Sequence, residues 1–417
     1  MKYFINIFSN LIKVISGFLF FLMITKYNSV EAVGQLGQLL TFSAATMMVA
    51  TLGIQNKVIQ DVSKNLERLD SNYIASMVLI SLFFLTLILI SGKLFFYNIS
   101  LSYGIASNIV FYIFVSLTFI IATLLQFKIA IYNGTGDYKK LASINIFGSI
   151  TAIFVTYIFL DVFNQMNNQF FLLMLYPCIK ILFIFFPKDQ SLYANFFLKN
   201  INRNLIASNI RSMLPFIVMA TVSVFTIYGY QYSVRNLISL EVNWNLVGQW
   251  QILQKHSEIA SLFFTSIAAV FIIPKLAGKK FQDQLVISKK FAILLLMGGV
   301  IGLTIVRLIG VYYVEGLFGS EYTLAGSLLF IHLVGDFFKI IAYCFSLIVL
   351  CNSWVKTYIV MELTQYILLF LSYYLCFIYF SENFMAYSYA LTYFLYMIGV
   401  VVYLFKFKEI IYFFRLR

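Results

Sequence analysis

The residues able to do chemistry in this chain are charged side chains set inside long apolar stretches. His332, Asp336 and Lys339 stand at i, i+4 and i+7, so a helix would stack them along one face. Lys255 and Glu258, at i and i+3, would do the same on another helix, with His256 beside them. Each stripe joins a cation to a titratable acid, an arrangement suited to binding an anionic substrate and exchanging it for a proton. A static ion pair has the same spacing, and the residues alone leave both readings open. Lys13, Lys128, Lys180, Arg307 and Glu362 complete the set. A charge at the bilayer centre costs about 2.5–3.5 kcal/mol on insertion scales, so these residues are expected to face a polar interior or one another. Lys128, Lys180 and Arg307 lie nearer the ends of their apolar runs, where snorkelling to the interface is an equal alternative. Six basic residues against three acidic ones make a cavity lined by the set cationic. Such a cavity suits phosphate-bearing lipid headgroups or anionic solutes, whereas an exporter of cationic drugs calls for the opposite sign.

Other chemistries lack their residues. There is no GxxxxGK[ST] and hence no nucleotide-binding loop, and no H-E-x-x-H or Cys/His cluster, so neither a zinc site nor any other cofactor is expected. Gly134-Thr135-Gly136-Asp137 spells the GxGD string of intramembrane aspartyl proteases, but it sits in a polar loop with no Tyr-Asp pair elsewhere, and a turn is expected there. Cys178, Cys344, Cys351 and Cys376 all lie in apolar stretches without a CxxC pair and read as packed thiols.

The elements that must position these residues are membrane spans. Of the 417 residues, 62% are hydrophobic and 11% charged, against about 25% charged in soluble domains. Apolar runs place spans near 6–26, 34–55, 73–91, 103–131, 141–160, 168–187, 211–233, 246–274, 287–311, 322–350, 356–380 and 384–407. The fold class expected is therefore an all-α polytopic membrane protein of about twelve transmembrane helices in two six-helix bundles with a central cavity. The division is an N-terminal bundle over 1–187, a basic cytoplasmic linker over 188–210 and a C-terminal bundle over 211–417. The first run carries Lys13 and no A-x-A site, so it reads as a span rather than a cleaved leader.

Net charge is +13. In a soluble protein that excess would point to nucleic acid; here it follows the positive-inside bias, and no nucleic acid partner is expected. With loops assigned to alternate sides, 20 of the 29 Lys and Arg fall on the face that holds both termini, and three (Lys26, Lys93, Arg235) on the other. The termini are expected in the cytoplasm. A weak internal repeat supports two halves: Val33-Gly34-Gln35 opens the second span and Val247-Gly248-Gln249 the eighth.

Three segments carry a family likeness: Trp244-x-x-Val247-Gly248-x-Trp250-Gln251 with Ser257-Glu258, Leu333-Val334-Gly335-Asp336-x-x-Lys339-x-x-Ala342-Tyr343, and Tyr358-Ile359-x-x-Glu362-x-x-Gln365. Leu11-x-Lys13 with Gly17, Gly53-Ile54-x-Asn56 and Arg235 match more weakly. With these the chain resembles Wzx-type lipid-linked oligosaccharide flippases of the multidrug/oligosaccharidyl-lipid/polysaccharide exporter superfamily, the branch acting on O-antigen or enterobacterial common antigen lipid III units. The resemblance implies two six-helix bundles in a V and a membrane transporter rather than an enzyme. Its cargo would be an undecaprenyl-pyrophosphate-linked oligosaccharide repeat unit, moved from the cytoplasmic to the periplasmic leaflet of a bacterial inner membrane. Polymerase and chain-length regulator proteins are the contacts it implies beyond the lipid bilayer. Lys13, Arg235, Glu258, Asp336, Lys339 and Glu362 carry over by motif, while Lys255, Lys180, His256 and His332 rest on their own positions. The expected substrate-binding set is thus Lys13, Arg235, Lys255, Lys339, Lys180 and Arg307, and the ion-coupling set is Asp336, Glu258, Glu362 and His332. A multidrug exporter of the same superfamily shares the fold but should favour acids in its cavity, and an O-antigen polymerase should carry a large periplasmic loop that this sequence lacks.

Overall fold

A computed structural model describes residues 2–51, 54–64, 70–103, 108–160, 175–183, 202–268, 272–276, 279–352 and 354–415. Helices and turns account for them, with no strand among the described residues. This is the outcome that hydrocarbon imposes, since a helix satisfies every backbone N–H and C=O within its own segment. The principal helices are α1 (Lys2–Lys26), α2 (Val30–Thr51), α3 (Ile54–Lys64), α4 (Ser71–Tyr103), α5 (Asn108–Thr135), α6 (Tyr138–Leu160), α7 (Arg203–Val224), α8 (Tyr230–Glu241), α9 (Trp244–Ile267), α10 (Phe281–Phe318), α11 (Thr323–Cys351), α12 (Val355–Phe380) and α13 (Phe384–Arg415). Eight described stretches are long and apolar enough to cross a membrane, among them Phe8–Lys26, Arg203–Glu241 and Ser320–Cys351. The chain is an all-α polytopic membrane protein. The expected spans 34–55, 73–91 and 246–274 correspond to α2, α4 and α9. The expected span 168–187 lies outside the described residues apart from 175–183.

One expected loop is a helix. Residues 56–72 fall between the expected spans 34–55 and 73–91, yet α3 occupies most of their first half. Ile54, Val58 and Val62 recur every four residues and are buried against Phe127, Ala130 and Ile131 of α5 and Met213 and Ile217 of α7. Eleven residues with one apolar stripe are too few to register as a span. Asp61 fastens the helix to α4 by accepting from the Tyr73 hydroxyl at 2.9 Å, while Lys57 pairs with it at 2.9 Å. The Gly134–Asp137 string behaves as a turn: α5 ends at Thr135, and Asp137 accepts from the Lys140 amide at 3.4 Å to start α6.

The helices cluster into two compact units. One comprises Met1–Tyr27 with Gln38–Tyr228, the other Asn28–Gly37 with Gly229–Arg417. In the first, α1 packs on α6, and α7 packs on α3 and α4. The Asn202 amide donates to Asn72 Oδ1 at 2.7 Å, which ties the approach to α7 to the start of α4. The later boundary between the two units falls after Tyr228, at the π-helical turn Phe225–Gly229 that parts α7 from α8. In the second unit α11 is the central element, with α9, α10, α12 and α13 all packed on it.

The second unit also contains both copies of the Val-Gly-Gln repeat, and they meet. A Cβ placed on Gly34 would lie 2.6 Å from the Trp244 carbonyl oxygen and 2.8 Å from the Gly248 nitrogen, and one on Gly248 would run into the Val30 carbonyl oxygen. The first turns of α2 and α9 thus cross backbone to backbone, which only the absence of a side chain on both permits.

Candidate functional site

The polar centre of the second unit is assembled on α11, which starts where Gln249 of α9 fastens it. Gln249 Nε2 donates to the Glu321 carbonyl at 2.7 Å, and its Oε1 accepts from the Ala325 amide at 3.0 Å. The lock fixes the register of α9 on α11, so Ser257, two turns further along α9, arrives beside the stripe read from the sequence. His332, Asp336 and Ser257 are all buried, and Lys339 is half-buried.

Asp336 is held from two other helices. The Ser257 hydroxyl donates to its Oδ2 at 2.6 Å, and the Tyr389 hydroxyl of α13 donates to its Oδ1 at 2.8 Å. Ser257 Oγ also lies 2.8 Å from His332 Nε2, and the His332 ring stacks on Tyr389 with centroids 4.1 Å apart. Gly335 makes this possible: a Cβ there would sit 2.6 Å from the Tyr389 ring, so any other residue would push Tyr389 off the carboxylate. Lys339 is close enough for its charge to act on Asp336 but makes its hydrogen bond to Tyr389, donating to the same hydroxyl at 3.3 Å with its ammonium over the Tyr389 and Tyr393 rings. The sequence treats Asp336 and Lys339 as direct partners; the fold interposes a tyrosine. Tyr393 in turn accepts from Gln365 of α12 at 3.0 Å, and Glu362 lies close enough for its charge to act on Tyr393.

Ser257, His332 and Asp336 are the side-chain types of a hydrolytic triad, but their connectivity is not one. The serine stands between the other two, donating to the acid, whereas a nucleophile needs its histidine oriented by the acid. A bridged carboxylate inside a helix bundle can hold and release a proton, and can change what it donates to and accepts from when it does so.

The remaining expected residues take separate positions. Lys255 and Glu258 close on each other in a 2.8 Å ion pair along α9. Arg235 is fully buried on α8, with Nη2 donating to Gln251 Oε1 and its guanidinium 5.0 Å from the Trp250 ring centroid, and Gly37 packs beside it. Its surroundings therefore differ from those of Lys339. His256 points its Nδ1 at the Ile252 carbonyl oxygen, 2.8 Å away, with Tyr313 and Phe318 edge-on to its ring. Arg307 is exposed on α10, its guanidinium over Phe330, and Lys128 lies over Tyr132.

The first unit holds a second charged locus. Lys180 is buried in the 3-10 turn Ile179–Phe183, its stem lying on Gly148 of α6. It is close enough to Lys13 of α1 for the two ammoniums to repel. Tyr176 roofs the same region, its hydroxyl 2.6 Å from Ser16 Oγ and its ring stacked on Phe20 at 4.0 Å. Ser257 and Tyr389 are the site residues that sequence reading missed. Ser257 stood in a matched motif beside Glu258, and that adjacency was the available signal; Tyr389 is one tyrosine among 29.

No family model matches the chain. A segment of 158 residues is 25% identical to the lipid III flippase of Escherichia coli (strain K12), covering 37% of each chain. The match thus spans a little over a third of that relative's length. A solved multidrug resistance MATE family transporter of the MOP superfamily, in an inward-facing conformation, superposes with a TM-score of 0.71 at 13% identity, over 97% of this chain and 94% of that one. Lipid II flippase MurJ, in an inward closed conformation, superposes with a TM-score of 0.67 at 13% identity, over 96% and 86%. The proteins it is similar to in sequence and in fold are transporters and flippases rather than enzymes, and its fold is the one shared by transporters of the MOP superfamily.

Proposed function

We propose that this protein flips an undecaprenyl-pyrophosphate-linked oligosaccharide repeat unit from the cytoplasmic to the periplasmic leaflet of a bacterial inner membrane by alternating access, with both termini cytoplasmic. The observation that carries the reading is the buried carboxylate of Asp336, held by Ser257 and Tyr389 with the Lys339 ammonium on the far side of Tyr389. The likeness to lipid III flippase supports the cargo class, and the six-to-three excess of basic over acidic residues within the spans favours an anionic cargo over the cationic drugs of an exporter with the same fold.

In this reading the cationic side chains bind pyrophosphate by charge-assisted hydrogen bonds. Lys339 is one, Lys13 and Lys180 form another locus, and Arg235, Lys255 and Arg307 supply positive field from where they stand. Asp336 carries the coupling proton, with Glu258 and Glu362 as alternates. A pyrophosphate that draws Lys339 away from Tyr389 loosens the hydroxyl that holds Asp336 and favours its protonation, which links cargo occupancy to proton uptake. Polymerase and chain-length regulator proteins are the partners this pathway position implies.

Two measurements test it. Deleting the protein should leave lipid-linked repeat units accumulating at the inner leaflet, whereas a polymerase defect would leave single units capped on the outer surface. Asp336→Asn keeps the shape and removes the titration, so it should bind cargo and lose flipping driven by a pH gradient. Wild-type flipping by Asp336→Asn under that gradient would make the residue a structural acceptor for Ser257 and Tyr389 and end its coupling role.

A further inference from the structure

With Asp336 ionised, the hydrogen bonds around Ser257 have one sense. Its single proton goes to Asp336 Oδ2, so at the 2.8 Å contact with His332 the serine oxygen accepts and Nε2–H donates. Neutral His332 then carries no proton on Nδ1, and that nitrogen is buried with no hydrogen-bond partner among the described residues. A chain of three groups is thereby laid out: an open acceptor at Nδ1, a serine that both accepts and donates, and a carboxylate at the far end.

We propose that His332, Ser257 and Asp336 form a proton wire, with His332 Nδ1 the port through which the Asp336 proton arrives and leaves. The proposal rests on the proton-coupled reading above and assigns the path its proton takes. A proton taken up at Nδ1 leaves the imidazole with hydrogens on both nitrogens. Nε2–H then passes its proton to Ser257 Oγ as the serine's own proton passes to Asp336 Oδ2. The chain gains one proton and ends with a neutral carboxyl donating to Ser257, Ser257 donating to Nε2, and hydrogen on Nδ1. Release runs the same steps backwards. Tyr389 donates to Oδ1 in both states, so the carboxyl is held while its other oxygen changes role. Since His332 is fully buried here, exchange waits on a conformation that wets Nδ1. Among the described residues, the charges acting on His332 are His256 of α9 and Lys339 of α11, Tyr389 of α13 holds Asp336, and Tyr393 of α13 with Glu362 of α12 lies one step beyond; Arg307 of α10 is exposed and lies over Phe330.

The distinguishing mark is a tautomer change in one histidine. The chain has two histidines, so full-length protein labelled with 15N-histidine and reconstituted in phosphatidylethanolamine/phosphatidylglycerol vesicles gives two imidazoles to follow by solid-state NMR, assigned by His256→Gln. Between about pH 9 and about pH 5, the His332 proton should move from Nε2 to Nδ1 while an infrared carboxyl band assigned by Asp336→Asn appears. Asp336→Asn should hold His332 in one tautomer throughout. Ser257→Ala should cut the wire, leaving His332 to titrate alone to a doubly protonated ring, and Ser257→Thr, which restores the hydroxyl, should restore the tautomer switch. Retention of Nε2–H by wild-type His332 while the Asp336 band appears would overturn the wire, as would a tautomer switch that persists in Ser257→Ala. Should Ser257→Ala not accumulate, the Asp336→Asn spectrum decides alone: a tautomer that still switches with pH there overturns the proposal. None of these readouts involves cargo, so a wrong cargo assignment and a wrong proton path fail separate experiments.

Discussion

Replacing Gly34 by alanine tests the crossing of the two Val-Gly-Gln copies. The added Cβ would lie 2.6 Å from the Trp244 carbonyl oxygen and 2.8 Å from the Gly248 nitrogen, where ordinary contact begins at 3.4 Å. Both atoms are backbone, so no rotamer can yield, and α2 must move off α9 by about 0.8 Å, the difference between 3.4 and 2.6 Å. A gap of that size forfeits a quarter to a half of each dispersion well across the contact. Overpacking of this kind costs about 1–3 kcal/mol, against about 0.8–1 kcal/mol that alanine gains over glycine in a helix. The clash should win by about 1 kcal/mol. Gly302, on α10, would place an added Cβ with nothing within 4 Å and so isolates the propensity gain, and Gly248, whose Cβ would run into Val30 backbone, carries the larger clash. The expected order of stability is Gly302→Ala at or above wild type, then Gly34→Ala, then Gly248→Ala. Thermal unfolding in detergent followed by tryptophan emission suits the question, because Trp244 and Trp250 both lie on α9 in the crossing region. For a unit of this size each kcal/mol moves the midpoint by roughly 2–4 °C. A Gly34→Ala protein that melts with or above Gly302→Ala would show that the two helices do not cross this closely.

Lys339→Ala should abolish flipping with protein level nearly unchanged, because Asp336 keeps both hydroxyl donors and what is lost is the 3.3 Å bond to Tyr389, about 0.5–1.5 kcal/mol, with the ammonium's contacts to the Tyr389 and Tyr393 rings. Disappearance of the variant from the membrane would refute this. Arg235→Met should instead cost about 1–3 kcal/mol of stability and lower the melting midpoint, since it leaves the buried Gln251 Oε1 without its donor and removes the stack on Trp250; an unchanged midpoint would refute the anchoring role. Lys180→Met should raise thermal stability while reducing flipping, because it removes a buried ammonium repelled by Lys13 and keeps the stem that lies on Gly148. A destabilised Lys180→Met protein would show that the lysine is held by a partner rather than waiting for an anion.

The membrane class, most of the spans and the His332, Asp336 and Lys339 stripe were legible in the sequence because each depends on local information. Burial in hydrocarbon selects apolar runs of a set length, and the helical period alone puts i, i+4 and i+7 on one face. The Lys255–Glu258 pair was legible for the same reason, though not whether it would bind cargo or close on itself, as it does at 2.8 Å. Helix α3 escaped because its single buried stripe is amphipathic rather than apolar throughout. What only the tertiary structure decided is who stands across from the stripe. Ser257 and Tyr389 reach Asp336 from 79 and 53 residues away in the chain, and no period links them. They arrive because Gln249 locks the register of α9 on α11 and Gly335 leaves room for the Tyr389 ring. Those are cross-helix fits, set by the shapes of two surfaces at once, whereas one stretch of sequence describes only one of them.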